Sequence, residues 1–139
     1  MGQSERVATF RALHQGGCFV IPNPWDAGSA RTLVKLGFPA LASTSTGMAW
    51  SLGMSDHQVS LDAVLEHLRA LVRAVDVPIN ADFEDGYASE PEAVGENVAA
   101  AVETGIAGVS IEDSTHDPDE PLYEFGLAVD RVRAARAAI

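Results

Sequence analysis

The chain has 139 residues, of which 20 are acidic and 9 are Lys or Arg, so its formal net charge at pH 7 is -11. Such an excess of negative charge disfavours nucleic acid and anionic membranes as partners and favours cations as ligands. No apolar run approaches the ~20 residues of a membrane-spanning helix, and no secretory leader is recognised, so we expect a cytoplasmic protein that acts on a small molecule.

Short β-type runs and amphipathic helical runs alternate along the chain. The strands are predicted over residues 18–22, 40–43, 77–82 and 108–112. These runs are mostly apolar without alternation, which is typical of parallel strands that are covered on both faces. Cys18 is the single cysteine and lies in the first run, so we expect a buried, unreactive thiol.

Helical runs precede and follow these strands. They are predicted over residues 7–14, 25–36, 60–75, 89–105 and 125–139. Ser60 is expected to cap the third helix, and Ser89 with Glu92 to form a capping box that opens the fourth. The second helix ends at Gly37, a residue type that accepts the left-handed backbone of a helix end.

Strands separated by helices predict an α/β fold with right-handed crossovers. Four β/α units fill the chain, whereas a closed (β/α)₈ barrel needs about 250 residues. The pattern by itself is compatible with two architectures: an open four-stranded sheet covered by helices on both faces, or the N-terminal part of a barrel.

Acidic residues collect after the third and fourth predicted strands. Asp82 and Glu112 end neighbouring strands, which lie ~4.8 Å apart if they pair, and Glu84 follows two residues after Asp82. Carboxylates this close repel each other unless a cation or a proton lies between them. We therefore predict a Mg²⁺ site, with Mn²⁺ as the alternative ion and with Asp56 or Asp113 acting through water. The simpler interpretation of each acid alone is a solvated loop residue or a helix cap.

Other polar residues in these loops are candidates for contact with a substrate. The run Ser43-Thr44-Ser45-Thr46-Gly47 is predicted to turn, and its backbone N–H groups can hold a carboxylate or phosphate, although an ordinary turn is the simpler interpretation. His116 and Tyr87 stand beside the acids and are candidate proton donors, with packing as the alternative role for Tyr87. The remaining histidines show no ligand spacing and are assigned to helix faces or caps: His14, His57 and His67.

Four segments together resemble the isocitrate lyase/phosphoenolpyruvate mutase superfamily. In chain order they are Asn23-Pro24-Trp25-Asp26, the Ser/Thr-Gly turn leading to Asp56, Asp82-x-Glu84-x-Gly86-Tyr87 and Ile111-Glu112-Asp113. The resemblance implies a (β/α)₈ TIM-barrel fold that is usually assembled as a homo-oligomer. Residues 1–139 would supply the leading helix and the first four β/α units of this single domain, so we expect an incomplete barrel.

The resemblance also implies a Mg²⁺-dependent lyase. Such an enzyme cleaves a C–C or C–P bond of a small 2-oxo or 2-hydroxy carboxylate through a metal-stabilised enolate. By this resemblance Asp82, Glu84 and Glu112 are the metal carboxylates, and Asp56 approaches the ion through water or substrate. The turn formed by Thr44, Ser45, Thr46 and Gly47 would hold the substrate carboxylate.

One loop departs from the superfamily pattern. In its lyases the loop after the fourth strand carries a Cys that works as an acid/base, and in the mutase it carries a Lys. Residues 114–121 contain neither. We therefore do not expect isocitrate or methylisocitrate cleavage, whereas decarboxylation or hydrolytic cleavage needs no Cys. The alternatives are a non-catalytic protein that binds metal and carboxylate, and an inactive fragment.

Overall fold

Three strands form one parallel sheet in the computed structural model, which describes all residues from 1 to 139. They are β1 (Leu41–Ala42), β2 (Ile79–Asp82) and β3 (Gly108–Ser110), in that spatial order. Leu41 pairs with Ile79, and Asp82 pairs with Ser110. A parallel sheet whose strands are joined by helices confirms the predicted α/β fold class.

The first predicted strand does not form. Residues 18–22 run beside β1, and a single backbone hydrogen bond joins them to the sheet, from Ala42 N–H to the Pro22 carbonyl at 3.1 Å. Cys18 is exposed, and Val20 keeps 62% of its surface exposed. The predictions of a buried strand and a buried thiol were therefore wrong, because this apolar run lies along an uncovered edge of the sheet.

Six helices accompany the strands. They are α1 (Gln3–Leu13), α2 (Ala27–Lys35), α3 (Ser45–Ser51), α4 (Leu61–Ala74), α5 (Pro91–Val102) and α6 (Phe125–Ala137). Five of them confirm predicted helices, whereas α3 replaces the turn that was predicted after the second β-type run. None of the six combines the length and the apolar character that a bilayer-spanning helix requires.

The ends of two helices test the capping predictions. Ser60 caps α4, since its Oγ accepts a hydrogen bond from Ala63 N–H at 3.4 Å. The capping box predicted for α5 is absent, because that helix begins one residue later, after Glu90, and has no side-chain cap. Pro91 occupies the first helical position instead, where its missing N–H leaves no hydrogen bond unmade.

The hydrophobic core lies where α4 and α5 pack with the sheet. The apolar stripe of α4 is buried as its spacing predicted, with Leu68 fully buried against a cluster that includes Ile79 of β2 and Val98 of α5. Burial of these side chains fixes β2 in the middle of the sheet. The carboxyl end of β2 is thereby held at the edge where the loops after all three strands meet.

Replacing Leu68 by Ala is expected to lower the free energy of unfolding by about 2–5 kcal/mol, because a fully buried side chain is lost and a cavity remains. The matched control is Leu36→Ala, since Leu36 is 71% exposed and its truncation costs less than about 0.5 kcal/mol. Urea denaturation followed by circular dichroism measures both values. Equal losses in the two variants would contradict the assignment of α4 to the core.

Candidate active site

The candidate site lies at the carboxyl end of the sheet, the usual position of ligand sites in parallel α/β folds. It is built from the loop before α4, the start of α3 and the loops that follow β2 and β3. The side chains that meet there are Asp56, His57, Asp82, Glu84, Asp85, Tyr87, Glu112 and His116. Glu112 lies within electrostatic range of Asp82, Glu84 and both histidines, so several separate chain segments converge on one site.

Asp82 is the last residue of β2 and is held by backbone groups. Its Oδ2 accepts a hydrogen bond from Ser45 N–H at 2.8 Å, and its Oδ1 accepts one from Glu84 N–H at 3.4 Å. Its own N–H donates to Ser43 Oγ at 2.8 Å. The start of α3 therefore holds this carboxylate in a fixed orientation, and the favourable dipole at a helix N-terminus stabilises its charge.

Residues 44–47, predicted to hold a substrate carboxylate, form the first turn of α3. Thr44 is the N-cap and accepts a hydrogen bond from Gly47 N–H at 3.2 Å, while Thr46 Oγ1 donates to the Asp56 carboxylate. Gly47 is required by packing, because a Cβ at this position would lie 2.4 Å from Trp25 Cδ1. The polar groups of this turn thus bind the acids of the site.

Glu84 is buried at the centre of the site, with 4% of its surface exposed. Its Oε1 accepts a hydrogen bond from the Tyr87 hydroxyl at 2.7 Å, and its Oε2 lies 2.9 Å from His57 Nδ1. Its backbone carbonyl accepts a hydrogen bond from Glu112 N–H at 2.8 Å. Glu112 is therefore aligned with Glu84 rather than with Asp82, because β3 ends at Ser110, the partner of Asp82.

His57 belongs to the site, so its assignment to a helix face or cap was wrong. Its Nε2 lies 3.8 Å from Asp56 Oδ2, and its ring lies 3.9 Å from the ring of His116, tilted by 34°. His116 Nε2 in turn lies 4.0 Å from Asp85 Oδ1. The one signal in the sequence that indicates this role for His57 is its position directly after Asp56, a residue already assigned to the site.

Four residues of the site have a left-handed backbone conformation, which is strained for residues other than glycine. Their φ angles are 60° at His57, 46° at Glu84, 58° at Tyr87 and 61° at His116. These are all of the non-glycine residues of the chain with positive φ. Each of these strained conformations costs on the order of 1–3 kcal/mol and persists only where the surrounding structure imposes it, as it often does at functional sites.

Arg131 of α6 holds the loop after β2 in place. Its buried guanidinium donates hydrogen bonds to the backbone carbonyls of Asp85, Ala88 and Ser89, the last at 2.7 Å. The same guanidinium lies over the ring of Tyr123, 3.8 Å from its centroid. Because its donors go to carbonyls, this cation fixes the loop and pairs with none of the site carboxylates.

The electrostatics of the site follow from this excess of acid. No Lys or Arg forms an ion pair with Asp56, Asp82, Glu84 or Glu112. Partial desolvation and the nearby charge of Asp82 raise the pKa of Glu112 above its ordinary value. Burial and the hydrogen bond to Glu84 raise the pKa of Tyr87, so its hydroxyl keeps its proton at neutral pH. The site can therefore bind a cation through carboxylate oxygens and present the protonated Tyr87 hydroxyl as a hydrogen-bond donor.

The structure brings together some of the residues that the sequence predicted for the site and leaves others apart. The residues predicted to take part and brought together are Asp56, Asp82, Glu84, Tyr87, Glu112 and His116. Asp113 is exposed, and its carbonyl accepts a hydrogen bond from Tyr123 N–H at 2.9 Å. This contact shapes the loop after β3 and leaves the Asp113 side chain outside the cluster.

Comparison of the sequence with known proteins identifies one family and several relatives. The family model of phosphoenolpyruvate phosphomutase matches residues 10–139. An uncharacterized protein from Mycobacterium tuberculosis is 36% identical over 124 residues, which cover 88% of this chain and 45% of that protein. A 2-methylisocitrate lyase from Halalkalibacterium halodurans is 30% identical over 113 residues, which cover 80% of this chain and 37% of the lyase.

Solved structures show the same fold. A Burkholderia cenocepacia protein designated as a lyase or mutase is 46% identical, with a TM-score of 0.95 over 98% of this chain and 50% of that one. An oxaloacetate acetylhydrolase in complex with its product oxalate is 27% identical, with a TM-score of 0.85 over 95% of this chain and 48% of that one. The chain thus spans about half the length of the solved structures it matches.

The contact between His57 and Glu84 predicts a pH-dependent stability in metal-free protein. The hydrogen bond to Glu84 raises the pKa of His57 above 6.5. The stabilisation that protonated His57 contributes is therefore fully present below about pH 6.5. It is lost as the pH rises through the pKa of His57 in the folded state. Titration of the His57 ring by NMR in the presence of EDTA measures the shift.

Two variants test the cause of this shift. Glu84→Gln is expected to bring the pKa of His57 down towards its ordinary value, since the charged acceptor is removed. Glu103→Gln, which changes an exposed acid at the end of α5, leaves the pKa unchanged. A wild-type His57 that titrates at or below 6.5 would contradict the contact seen in the structure.

Proposed function

Because the chain belongs to the phosphoenolpyruvate phosphomutase family, we propose that it is a Mg²⁺-dependent enzyme of the lyase type. It cleaves a C–C or C–P bond of a small 2-oxo or 2-hydroxy carboxylate. The observation that carries this proposal is the convergence of Asp82, Glu84 and Glu112 at the ends of β2 and β3, without a Lys or Arg to neutralise them.

Carboxylates are the kind of ligand that a hard divalent cation prefers. Mg²⁺ prefers oxygen ligands, binds through one or two carboxylates and keeps several waters, and Mn²⁺ suits the same donors. Asp82, Glu84 and Glu112 would hold the ion, and Asp56, fixed by Thr46, would act through a water molecule. When bound, the ion supplies Lewis acidity that stabilises negative charge on the oxygen of a 2-oxo acid.

The start of α3 is proposed to orient the substrate carboxylate. Ser45 N–H and Thr46 Oγ1 contact Asp82 and Asp56, so they lie beside the proposed metal carboxylates. With Thr44 and Gly47 they form a helix N-terminus, whose dipole attracts negative charge. A small dicarboxylate is the substrate class we favour, since the related oxaloacetate acetylhydrolase releases oxalate.

Tyr87 is proposed to donate the proton that completes the reaction. Its hydroxyl is anchored 2.7 Å from Glu84 Oε1, and its raised pKa keeps it protonated at neutral pH. A hydroxyl with so raised a pKa is a weak acid, so Tyr87 would give up its proton only to a strongly basic carbon centre left by bond cleavage. His116, which stacks on His57 at the other side of Glu84, is the second candidate donor.

A non-catalytic binding role is the second candidate function. It is favoured by residues 114–121, which contain neither Cys nor Lys. This segment is tied into a short hairpin, in which Ser114 pairs with Leu122 and Thr115 N–H donates to the Pro121 carbonyl at 3.0 Å. Calorimetric binding of oxalate with Mg²⁺, together with no turnover across a panel of 2-oxo acids, would support this role over catalysis.

Replacing Asp82 by Asn or Glu112 by Gln tests the proposed metal carboxylates. Each variant is expected to weaken Mg²⁺ binding by at least about tenfold and to lower turnover of oxaloacetate or a related 2-oxo acid, because a charged ligand is lost while the side-chain size is kept. Calorimetry with Mg²⁺ and a steady-state assay measure the two effects. The control is Glu103→Gln, and the proposal fails if Asp82→Asn and Glu112→Gln bind Mg²⁺ and turn over substrate as the wild type does.

Replacing Tyr87 by Phe tests the proton donor. The ring keeps its contact with Phe83, whose centroid lies 5.1 Å away, while the hydroxyl is lost. We expect kcat to fall by about 10²–10⁴-fold with little change in KM. Tyr123→Phe removes a hydroxyl that is bonded to Asp85 at 3.2 Å and serves as the control. An unchanged kcat in Tyr87→Phe would limit Tyr87 to orienting Glu84.

A further inference from the structure

We propose that His57, Glu84 and His116 form a second cation site, which binds a first-row transition ion such as Zn²⁺ through two imidazoles and one carboxylate. One ligand atom from each of the three residues lies within 4.8 Å of the other two. This donor set differs from the proposed Mg²⁺ carboxylates and shares only Glu84 with them. The inference concerns binding of the ion alone and therefore does not depend on the proposed reaction.

The geometry requires only small movements of side chains. His57 Nδ1 already lies 2.9 Å from Glu84 Oε2, and the two imidazole rings lie 3.9 Å apart. Ligand atoms of a tetrahedral Zn²⁺ ion lie about 3.3–3.4 Å from one another, given metal–ligand distances near 2.0–2.1 Å. Rotations about the side-chain torsions of the two exposed histidines would have to bring the three groups to this spacing. Glu84 itself is already held by Tyr87.

Neighbouring acids stand near the imidazole nitrogens. His57 Nε2 lies 3.8 Å from Asp56 Oδ2, and His116 Nε2 lies 4.0 Å from Asp85 Oδ1. His116 Nδ1 also lies 3.4 Å from Ser114 Oγ. A ring nitrogen that does not bind the metal usually donates to a carboxylate or similar acceptor, which fixes the ring and makes the ligand more basic.

The backbone gives an independent reason to assign a function to these histidines. His57 and His116 have φ angles of 60° and 61°, a conformation that glycine adopts without strain. The chain nevertheless places an imidazole at both positions, and the two loops that carry them bring both rings to the same buried carboxylate. Strain at two positions that converge on one ligand set is typical of a binding site.

The choice of ion follows from the ligands. Imidazole nitrogens suit Zn²⁺ and other first-row transition ions, whereas Mg²⁺ is bound by oxygen. Zn²⁺ on this site engages Glu84 and therefore competes with Mg²⁺ for that carboxylate. The two proposals thus place alternative cations on overlapping ligand sets in one loop cluster.

Calorimetric titration with Zn²⁺ tests the site in a Cys18→Ser background, which removes the exposed thiol as a competing ligand. His57→Gly and His116→Gly are each expected to weaken Zn²⁺ binding by at least about tenfold, and the double variant by at least about 100-fold. Glycine suits the backbone at both positions, so circular dichroism and the thermal midpoint should show an intact fold. Asparagine, which also tolerates this conformation, provides a second pair of variants should the glycine pair unfold.

The control variant is His14→Ala, which removes a histidine at the end of α1 and should leave Zn²⁺ affinity unchanged. In NMR spectra the ring resonances of His57 and His116 should respond to Zn²⁺, while those of His14 and His67 should not. Unchanged Zn²⁺ affinity in the double variant, or Zn²⁺ binding no tighter than Mg²⁺ binding, would overturn the inference.

The result is separable from that of the proposed function. Asp82→Asn should lose Mg²⁺ affinity and keep Zn²⁺ affinity, because Asp82 belongs only to the oxygen set. If the wild-type protein does not bind Zn²⁺ but keeps its Mg²⁺-dependent turnover, only the proposal of a second site is contradicted. If the wild-type protein shows no Mg²⁺ binding and no Mg²⁺-dependent turnover but binds Zn²⁺ through His57 and His116, only the proposed function is contradicted.

Discussion

Repulsion among carboxylates at the carboxyl end of the sheet is the constraint around which the site is built. Asp82 and Glu84 follow one another at the end of β2, and Glu112 is brought beside them by a backbone hydrogen bond to Glu84. No arginine or lysine offsets their charge, so backbone N–H groups, the Tyr87 hydroxyl and the His57 ring do so in part. Such an arrangement favours cation binding, which is the physical basis of both proposals.

The scaffold makes this unfavourable cluster tolerable. Packing of α4 and α5 on β2 buries the middle of the sheet, and Arg131 ties the loop after β2 to α6 through three backbone carbonyls. These contacts supply the stability that offsets strained backbone at four site residues, which include Glu84 and Tyr87. The strain and the charge are therefore located at the same loops, while the stabilising contacts lie in the layers beneath them.

The two proposals divide the site by the chemistry of its ligands. Carboxylate oxygens from Asp82, Glu84 and Glu112 suit Mg²⁺, whereas the imidazoles of His57 and His116 suit a transition ion. Glu84 is common to both sets and is the most buried of these groups. In the two proposals, the ion that binds is decided by which neighbours of Glu84 turn towards this buried carboxylate.

The sequence by itself determined the α/β class, five of the six helices and most of the acidic set, because helical spacing and acids at strand ends are local signals. Tertiary structure alone decided that residues 18–22 form no strand, since a strand forms only where a neighbouring strand supplies hydrogen bonds along its length. The same holds for the alignment of Glu112 with Glu84 and for the arrival of His57 from another loop. Register and contacts between distant loops depend on packing in three dimensions, which residue spacing along the chain does not encode.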